Sequence, residues 1–400
     1  MPWRQATSVL ERTKFVLAAE VGDIPISEMC RRYGISRKTG YYWMERYEAE
    51  GLRGLEDRSR RPHRSPSRTA PELVNLVLEL RRRRPHWGPK KLRKRLERLH
   101  PQLHLPAEST IALLLKRHGA VAPRRRRHVQ GFGGGGLGYA LEPNALWTID
   151  FKGDFRLGNG KRCYPLTVQD GCSRFLLCCT ALKSVRGEEA WPCFEQVFYE
   201  MGVPHRIGSD NGSPFGSNGL CGLSKLAIRF IKLGIELERI DPGHPEQNGR
   251  HERMHRTLKA EAVPRRPAAP HHNAQQQHFN EFRVCYNTER PHEALGGQCP
   301  GDLYRPSSRS YTANETPGLD YPGHYETRQV RPNGEIKWQG LMVYVSAALI
   351  REPVGLIEVD DGVWDLYFGP VLLGQIKDGC DRLTSRPVKR RGNAGRLKRY

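Results

Sequence analysis

The chain has 400 residues, 38% of them apolar, which suffices for two or three domains with real cores and excludes a disordered protein. A net charge of +22 and a pI near 9.8 point to a polyanionic partner. No apolar run approaches the roughly 20 residues of a membrane span, and "MPWRQATSVL" lacks a signal-peptide core, so a cytoplasmic, nucleoid-associated protein with no membrane partner is expected.

The charge is uneven. Residues 1–128 carry 30 Lys and Arg against 13 Asp and Glu, and the last fifteen residues add seven basic groups and no acid. Such clustering is the footprint of nucleic-acid binding, because neutralised phosphates release counterions; solvated helix faces are the plainer alternative. Ten cysteines without C-x-x-C or paired Cys/His spacing speak against zinc and for reduced, mostly buried thiols.

Residues 1–56 read as helices. In "PISEMCRRYGISRKTGYYWMERYEAEG", Ser27 can cap one helix, Gly34 makes a turn and Ser36 can cap the next, which is helix-turn-helix grammar. The second helix would offer Arg37, Lys38 and Tyr41 or Tyr42 to a major groove, with Trp43 and Tyr47 partly core. An ordinary helical hairpin is the competing reading. Residues 57–68, "DRSRRPHRSPSR", form a basic linker. Apolar stripes alternating with Arg/Lys blocks over residues 69–122 predict a second helical DNA-binding domain. Residues 123–143, with Arg124, Arg125, Arg126 and Arg127 before a glycine tract, have linker composition and a DNA-contacting charge. The glycines lack the G-K-[ST] and the preceding strand of a phosphate loop.

From residue 144 to 305 the pattern becomes β-β-β-α-β-α-β-α, a mixed sheet with helices packed on it. After a linker at 306–322, residues 323–380 alternate apolar and polar positions around "NG" and "DDG" turns, predicting a small β-barrel or sandwich. Residues 381–400 are a basic tail.

Metal-dependent phosphodiester chemistry needs convergent carboxylates to hold hard divalent ions. Asp150 interrupts the apolar strand "LWTIDFKG", where a lone charge is costly without a cation. Asp210, in "HRIGSDNGSPF", sits at the carboxyl end of a strand, where sites of α/β sheets collect. Glu252 lies on a helix with Arg256 and Lys259 at i+4 and i+7, cations able to grip DNA phosphates. Each also has a plain reading, as a salt-bridged strand end, an Asx turn and an i,i+4 helix partner.

The segments "LWTIDFKG", "PLTVQDGCSRFLL", "SDNGSPF", "PGHPEQNGRHERMHRTLK" and "YNTERPHEALGGQCP" together resemble the retroviral-integrase-type core of bacterial insertion-sequence transposases, the DDE group. The resemblance covers roughly residues 144–305, and the helix-turn-helix front end fits the same architecture. It implies a multidomain protein with N-terminal all-α helix-turn-helix domains, a central RNase H-like mixed sheet and a small C-terminal β-barrel. It further implies two Mg²⁺ ions at Asp150, Asp210 and Glu252, with Mn²⁺ able to substitute. The implied activity is 3′-end cleavage at terminal inverted repeats and strand transfer into target DNA by a homo-oligomer in a synaptic complex. A DNA-binding regulator with an inactive core and an RNase H-like nuclease are the alternatives.

One departure matters. The family's usual 35 intervening residues, counted from Asp210, end on Glu246, whereas 41 residues separate Asp210 from Glu252. The pattern Gly249-x-x-Glu252 followed by a basic helix favours Glu252, with an insertion of about six residues in "SNGLCGLSKLAI" and Glu246 as runner-up. His251 and His255 lack the glutamate arrangement of a zinc protease and are read as DNA-contacting or surface residues. Asn211, Gln247 and Asn248 are candidates for hydrogen bonds to phosphate or to the metal ligands, Trp147 is read as core, and Arg290 and His292 as DNA contacts or structural caps.

Overall fold

A computed structural model describes residues 8–59, 68–121, 140–217, 222–240, 248–263, 267–312 and 318–384, in two compact units, Met1–Thr69 and Ala70–Tyr400.

The first unit packs α1 (Ser8–Val21), α2 (Ile26–Arg32) and α3 (Arg37–Glu50) around Phe15, Val16, Met29, Cys30 and Leu55. Ser36 caps α3 by accepting the Thr39 N–H. Ser27 does not cap: α2 begins one residue earlier, where the Pro25 carbonyl takes the Glu28 and Met29 N–H groups, so Ser27 lies within the first turn. A Cβ on Gly40 would meet Cys30 Sγ at 2.6 Å and Phe15 Cζ at 3.0 Å, so the close crossing of α3 over α2 needs glycine there. Trp43 and Tyr47 pack against this core, while Arg37, Lys38, Tyr41 and Tyr42 stay exposed on α3, as the amphipathic pattern predicts.

The second unit opens with α4 (Pro71–Arg83), α5 (Pro89–Leu99) and α6 (Glu108–Arg117), joined through Val77, Trp87, Leu92, Leu96, Ile111 and Leu115. Their basic faces do not all look to solvent. Arg84 pairs with Glu289 at 2.7 Å, Lys90 with Glu293 at 2.6 Å and Arg98 with Asp302 at 2.6 Å, which docks the bundle on the end of the following domain.

That domain holds β1 (Leu146–Phe151), β2 (Phe155–Arg156), β3 (Arg162–Asp170), β4 (Leu176–Leu182), α7 (Gly187–Met201), β5 (Arg206–Ser209), α8 (Lys225–Lys232), β6 (Glu236–Arg239), α9 (Gly249–Glu261), α10 (His272–Val284) and the short α11 (Pro300–Leu303). The described strands make a six-stranded sheet in which β3 pairs β1, β2 and β4 antiparallel, and β1, β5 and β6 run parallel. Strand alternation sorts two cores. Trp147, Ile149, Leu166 and Val168 face α7 and α8, meeting Phe194, Phe198 and Phe230. On the other side α9 and α10 bury Met254, Leu258, Phe279 and Phe282 against Cys163, Leu176 and Cys179. Trp147 is fully buried and stacked on Phe198, the core role expected of it.

The C-terminal strands β7 (Glu326–Gln329), β8 (Glu335–Trp338), β9 (Leu341–Tyr344), β10 (Pro353–Asp360), β11 (Val363–Phe368) and β12 (Val371–Lys377) do not close into the predicted barrel among the described residues. They form an open antiparallel sheet in the order β12-β11-β10-β7 and a separate β8-β9 hairpin. The apolar side of the sheet is covered by that hairpin together with a helix: Ile336, Trp338 and Val343 of the hairpin and Ala227, Ile228 and Ile231 of α8 share a core with Val354, Leu356, Phe368 and Ile376.

Candidate active site

Asp150 stands one residue from the end of β1, opposite Thr167 of β3. The parallel register, Leu146 beside Arg206 and Thr148 beside Gly208, carries β1 and β5 forward together, so Asp150 and Asp210 leave the sheet at the same edge. Asp210 accepts the Gly212 N–H at 3.2 Å, and a Cβ at position 212 would meet the Asp210 carboxylate oxygens at 3.1 and 3.4 Å, which fits glycine in this exit turn. Glu252 lies exposed in the first turn of α9, with Arg256 and Lys259 exposed further along the helix.

The three acids interact. The Asp150 carboxyl is pushed up to about 7, first by burial and then by the charge of Asp210, with Glu252 adding in the same direction and Lys152 and the Phe151 N–H opposing. A carboxylate whose neighbouring carboxylates oppose its ionisation is a place where a bound cation would be favoured.

The opposite face of α9 corrects the sequence reading of its histidines. His251 and His255 are 0% and 3% exposed, lying on one stripe with Met254 and Leu258 against the sheet, so neither is a surface group. Burial pushes the His251 imidazole down to about 3 and that of His255 to about 2, so both are neutral. His251 Nδ1 contacts Thr148 Oγ1 at 2.8 Å, and its Nε2 contacts Thr167 Oγ1 at 2.7 Å. His255 Nε2 lies 2.7 Å from the same Thr167 hydroxyl, and its Nδ1 lies 3.6 Å from Asp150 Oδ2. Asp150, His251 and His255 thus gather nitrogen and oxygen donor atoms within 4.8 Å of one another. The i, i+3, i+4, i+7 spacing of His251, Met254, His255 and Leu258 was the available signal for a buried face.

Other expectations divide. Asn211 donates to the Ile240 carbonyl at 2.8 Å, which ties together the exits of β5 and β6. Asn248 is 6% exposed at the start of α9. Arg290 is buried, ion-paired with Glu261 at 2.5 Å and set over the Trp87 ring, so it serves structure, while the half-buried His292 packs edge-on against Tyr286. The runner-up Glu246, along with Gln247, Arg124, Arg125, Arg126 and Arg127, lies outside the described residues.

Residues 140–245 and 233–300 match the Integrase core domain family in two overlapping pieces that run from before β1 to α11. Residues 11–63 match a Helix-turn-helix domain and residues 39–115 a Homeodomain-like domain. An uncharacterized protein of Caenorhabditis elegans is 29% identical over 165 residues, 40% of this chain, and the match spans only 12% of that relative's length. Among solved structures, the simian T-cell lymphotropic virus intasome in complex with PP2A regulatory subunit B56 gamma is 17% identical, covering 74% of this chain and 97% of its own at a TM-score of 0.37. The HTLV-2 integrase catalytic core domain in complex with magnesium is 18% identical, covering 41% of this chain and 99% of its own at a TM-score of 0.32. The chain carries helix-turn-helix domains ahead of an integrase core domain, a make-up consistent with an integrase-type transposase.

Proposed function

We propose that the protein is a DDE transposase of an insertion sequence, which binds the element's terminal inverted repeats and catalyses metal-dependent 3′-end cleavage and strand transfer into target DNA. The observation that carries this reading is the parallel register of β1 and β5, which brings Asp150 and Asp210 out at one sheet edge of an integrase-type core, with Glu252 close enough to act on the Asp150 carboxyl. An all-oxygen set of three acids fits Mg²⁺ or Mn²⁺, and in this reading Asp150, Asp210 and Glu252 hold two such ions. Bound ions of this kind supply Lewis-acid stabilisation of a phosphoryl oxygen and acidify a water or hydroxyl nucleophile.

The chain's own residues supply placement. Arg256 and Lys259, exposed on the helix that bears Glu252, grip phosphates beside the acids. Arg37, Lys38 and Tyr42, exposed on α3, enter a groove of the inverted repeat, and the basic stretch Arg124 to Arg127 adds backbone contacts. Two ends require two such chains, so a homo-oligomer assembles on DNA. No described helix is long and apolar enough to cross a membrane.

Incubation of the purified protein with labelled end DNA, a plasmid target and Mg²⁺ separates the readings. Joined product supports transposition, cleavage without joining a nuclease, and binding alone a regulator. Glu252→Gln should abolish joining, whereas full joining by Glu252→Gln with none by Glu246→Gln would transfer the role to Glu246.

A further inference from the structure

Beside the three acids, the structure contains a buried polar cluster whose hydrogen atoms can be assigned. Thr167 Oγ1 makes three short contacts: the Asp150 carbonyl at 3.0 Å, His251 Nε2 at 2.7 Å and His255 Nε2 at 2.7 Å. A hydroxyl has one hydrogen and two lone pairs, and a carbonyl only accepts. All three contacts are satisfied in one arrangement alone, in which Thr167 donates to the Asp150 carbonyl and both imidazoles donate their Nε2–H to Thr167. Each Nδ1 is then a bare lone pair. That of His251 is met by the Thr148 hydroxyl at 2.8 Å, a shorter contact than that hydroxyl's other one, 3.3 Å to the Gln169 carbonyl, so both nitrogens of His251 are engaged. Among the described residues, that of His255 lies 3.6 Å from Asp150 Oδ2, with Lys152 also near enough to act on the imidazole.

Two electron-pair donors facing each other in a partly buried site repel unless a proton or a metal ion lies between them. A hydrogen bond across this gap would be too long. A metal ion fits better: ligand atoms each about 2.1 Å from an ion stand roughly 3.0–3.4 Å apart in octahedral or tetrahedral geometry. A small rotation of either side chain closes that difference. The donor is a neutral imidazole oriented by a hydrogen bond from its other nitrogen, as ligating histidines are.

We infer that His255 Nδ1 is a ligand of the ion bound at Asp150, which makes this a mixed nitrogen–oxygen site, with His251 and Thr167 positioning the imidazole. The inference rests on the reading of Asp150 as a metal ligand and adds a donor to it. Its consequence is selectivity, since an imidazole ligand favours Mn²⁺, Co²⁺ or Zn²⁺ over Mg²⁺. A preference for Mn²⁺ alone decides nothing, because many sites share it; direct nitrogen coupling does.

The test is pulsed electron paramagnetic resonance of the full-length protein with Mn²⁺. The expected result is nitrogen modulation at the bound ion that changes its frequencies when the protein is made with nitrogen-15-labelled histidine. His255→Gln, shown to be folded by circular dichroism, should lose the modulation and bind Mn²⁺ about tenfold more weakly. Should that variant not fold, His255→Asn serves in its place, and a lack of isotope sensitivity in the unaltered protein overturns the proposal by itself. Mn²⁺ bound in an Asp150-dependent way without histidine coupling, or coupling that persists in folded His255→Gln, overturns the imidazole ligand and leaves the carboxylate site standing. No Mn²⁺ binding at all overturns both.

Discussion

Asp150 and Asp170 occupy opposite ends of one antiparallel ladder, Asp150 paired with Thr167 and Asp170 with Trp147. Burial pushes both carboxyls up, yet their surroundings differ. Asp170 is fully enclosed and accepts the Asn144 N–H at 2.8 Å, the Ser173 N–H at 2.7 Å and the Ser173 hydroxyl at 2.6 Å. These donors are fixed by the turn after β3 and by the segment entering β1, so the protein itself stabilises that charge and uses it to hold the two together. Asp150 instead has Asp210 and Glu252 raising its carboxyl and an imidazole lone pair nearby. An enclosed acid met on every side by fixed donors is a structural joint, whereas Asp150, partly exposed and set between two further acids and Lys152, keeps room for a cation, as the proposed function requires.

The largest expected effect breaks this contrast at its functional end. Asp150→Asn keeps the shape and removes the charge, so strand transfer should fall by at least about a thousandfold, a loss of some 4 kcal/mol of barrier lowering. The melting temperature measured without divalent ions should stay level or rise. Joined product at an undiminished rate would remove Asp150 from the chemistry. At the other end, Asp170→Asn puts an amide N–H₂ among donors and weakens the joint, and should destabilise by about 2–4 kcal/mol in denaturant titrations. Activity per folded molecule should change only a few-fold; a selective loss of joining at full stability would show that Asp170 is no mere joint.

The Asp150 end of this contrast was visible in the sequence, whereas Asp170 was not singled out there. The apolar run around Asp150, the strand-end position of Asp210 and the helical setting of Glu252 are local patterns, and local patterns survive without coordinates. The helix-turn-helix likewise follows from a Gly turn and the Ser36 cap. What failed depended on long-range packing. The buried faces of His251 and His255 are defined by Thr148 and Thr167, 103 and 84 residues away from His251, and a histidine in a basic helix looks solvent-facing until the sheet beneath it is known. The open C-terminal sheet failed for the same reason: alternation predicts strands, whereas the α8 residues that help cover them come from another domain's sequence. Arg84, Lys90 and Arg98 belong to Arg/Lys blocks that the sequence offers only as the charge of a DNA-binding domain, because the core acids that pair them lie some two hundred residues further on.

A third experiment sharpens the comparison through ligand linkage. If Asp150 anchors a cation, Mg²⁺ or Mn²⁺ at 100 times its dissociation constant should stabilise the protein by about 2.7 kcal/mol. The gain should persist in Asp170→Asn, measured from that variant's own baseline, and vanish in Asp150→Asn. An equal gain in all three proteins would mean that the ion sits elsewhere.

The smallest effect is a difference between two pH profiles, and its sign follows from the site. In metal-free protein the Asp150 carboxyl titrates near 7 against 3.8 when unfolded, so its contribution to stability is complete below about 3.8 and is lost as pH rises through 7. The buried histidines act oppositely. With His251 near 3 and His255 near 2, against 6.5 when unfolded, their contribution is present above 6.5 and declines as the solution is acidified. The two trends overlap between pH 5 and 7 and largely mask each other in the unaltered protein. Asp150→Asn retains both histidines, so subtracting its profile isolates the carboxyl. Between pH 5 and 8 the unaltered protein should lose about 2 kcal/mol relative to Asp150→Asn, allowing for partial solvent access at the 21%-exposed side chain. Saturating Mg²⁺ should abolish that loss, because a bound cation replaces the proton as the partner of the charge. A difference profile that is flat without metal would mean that Asp150 ionises freely and has no need of a cation.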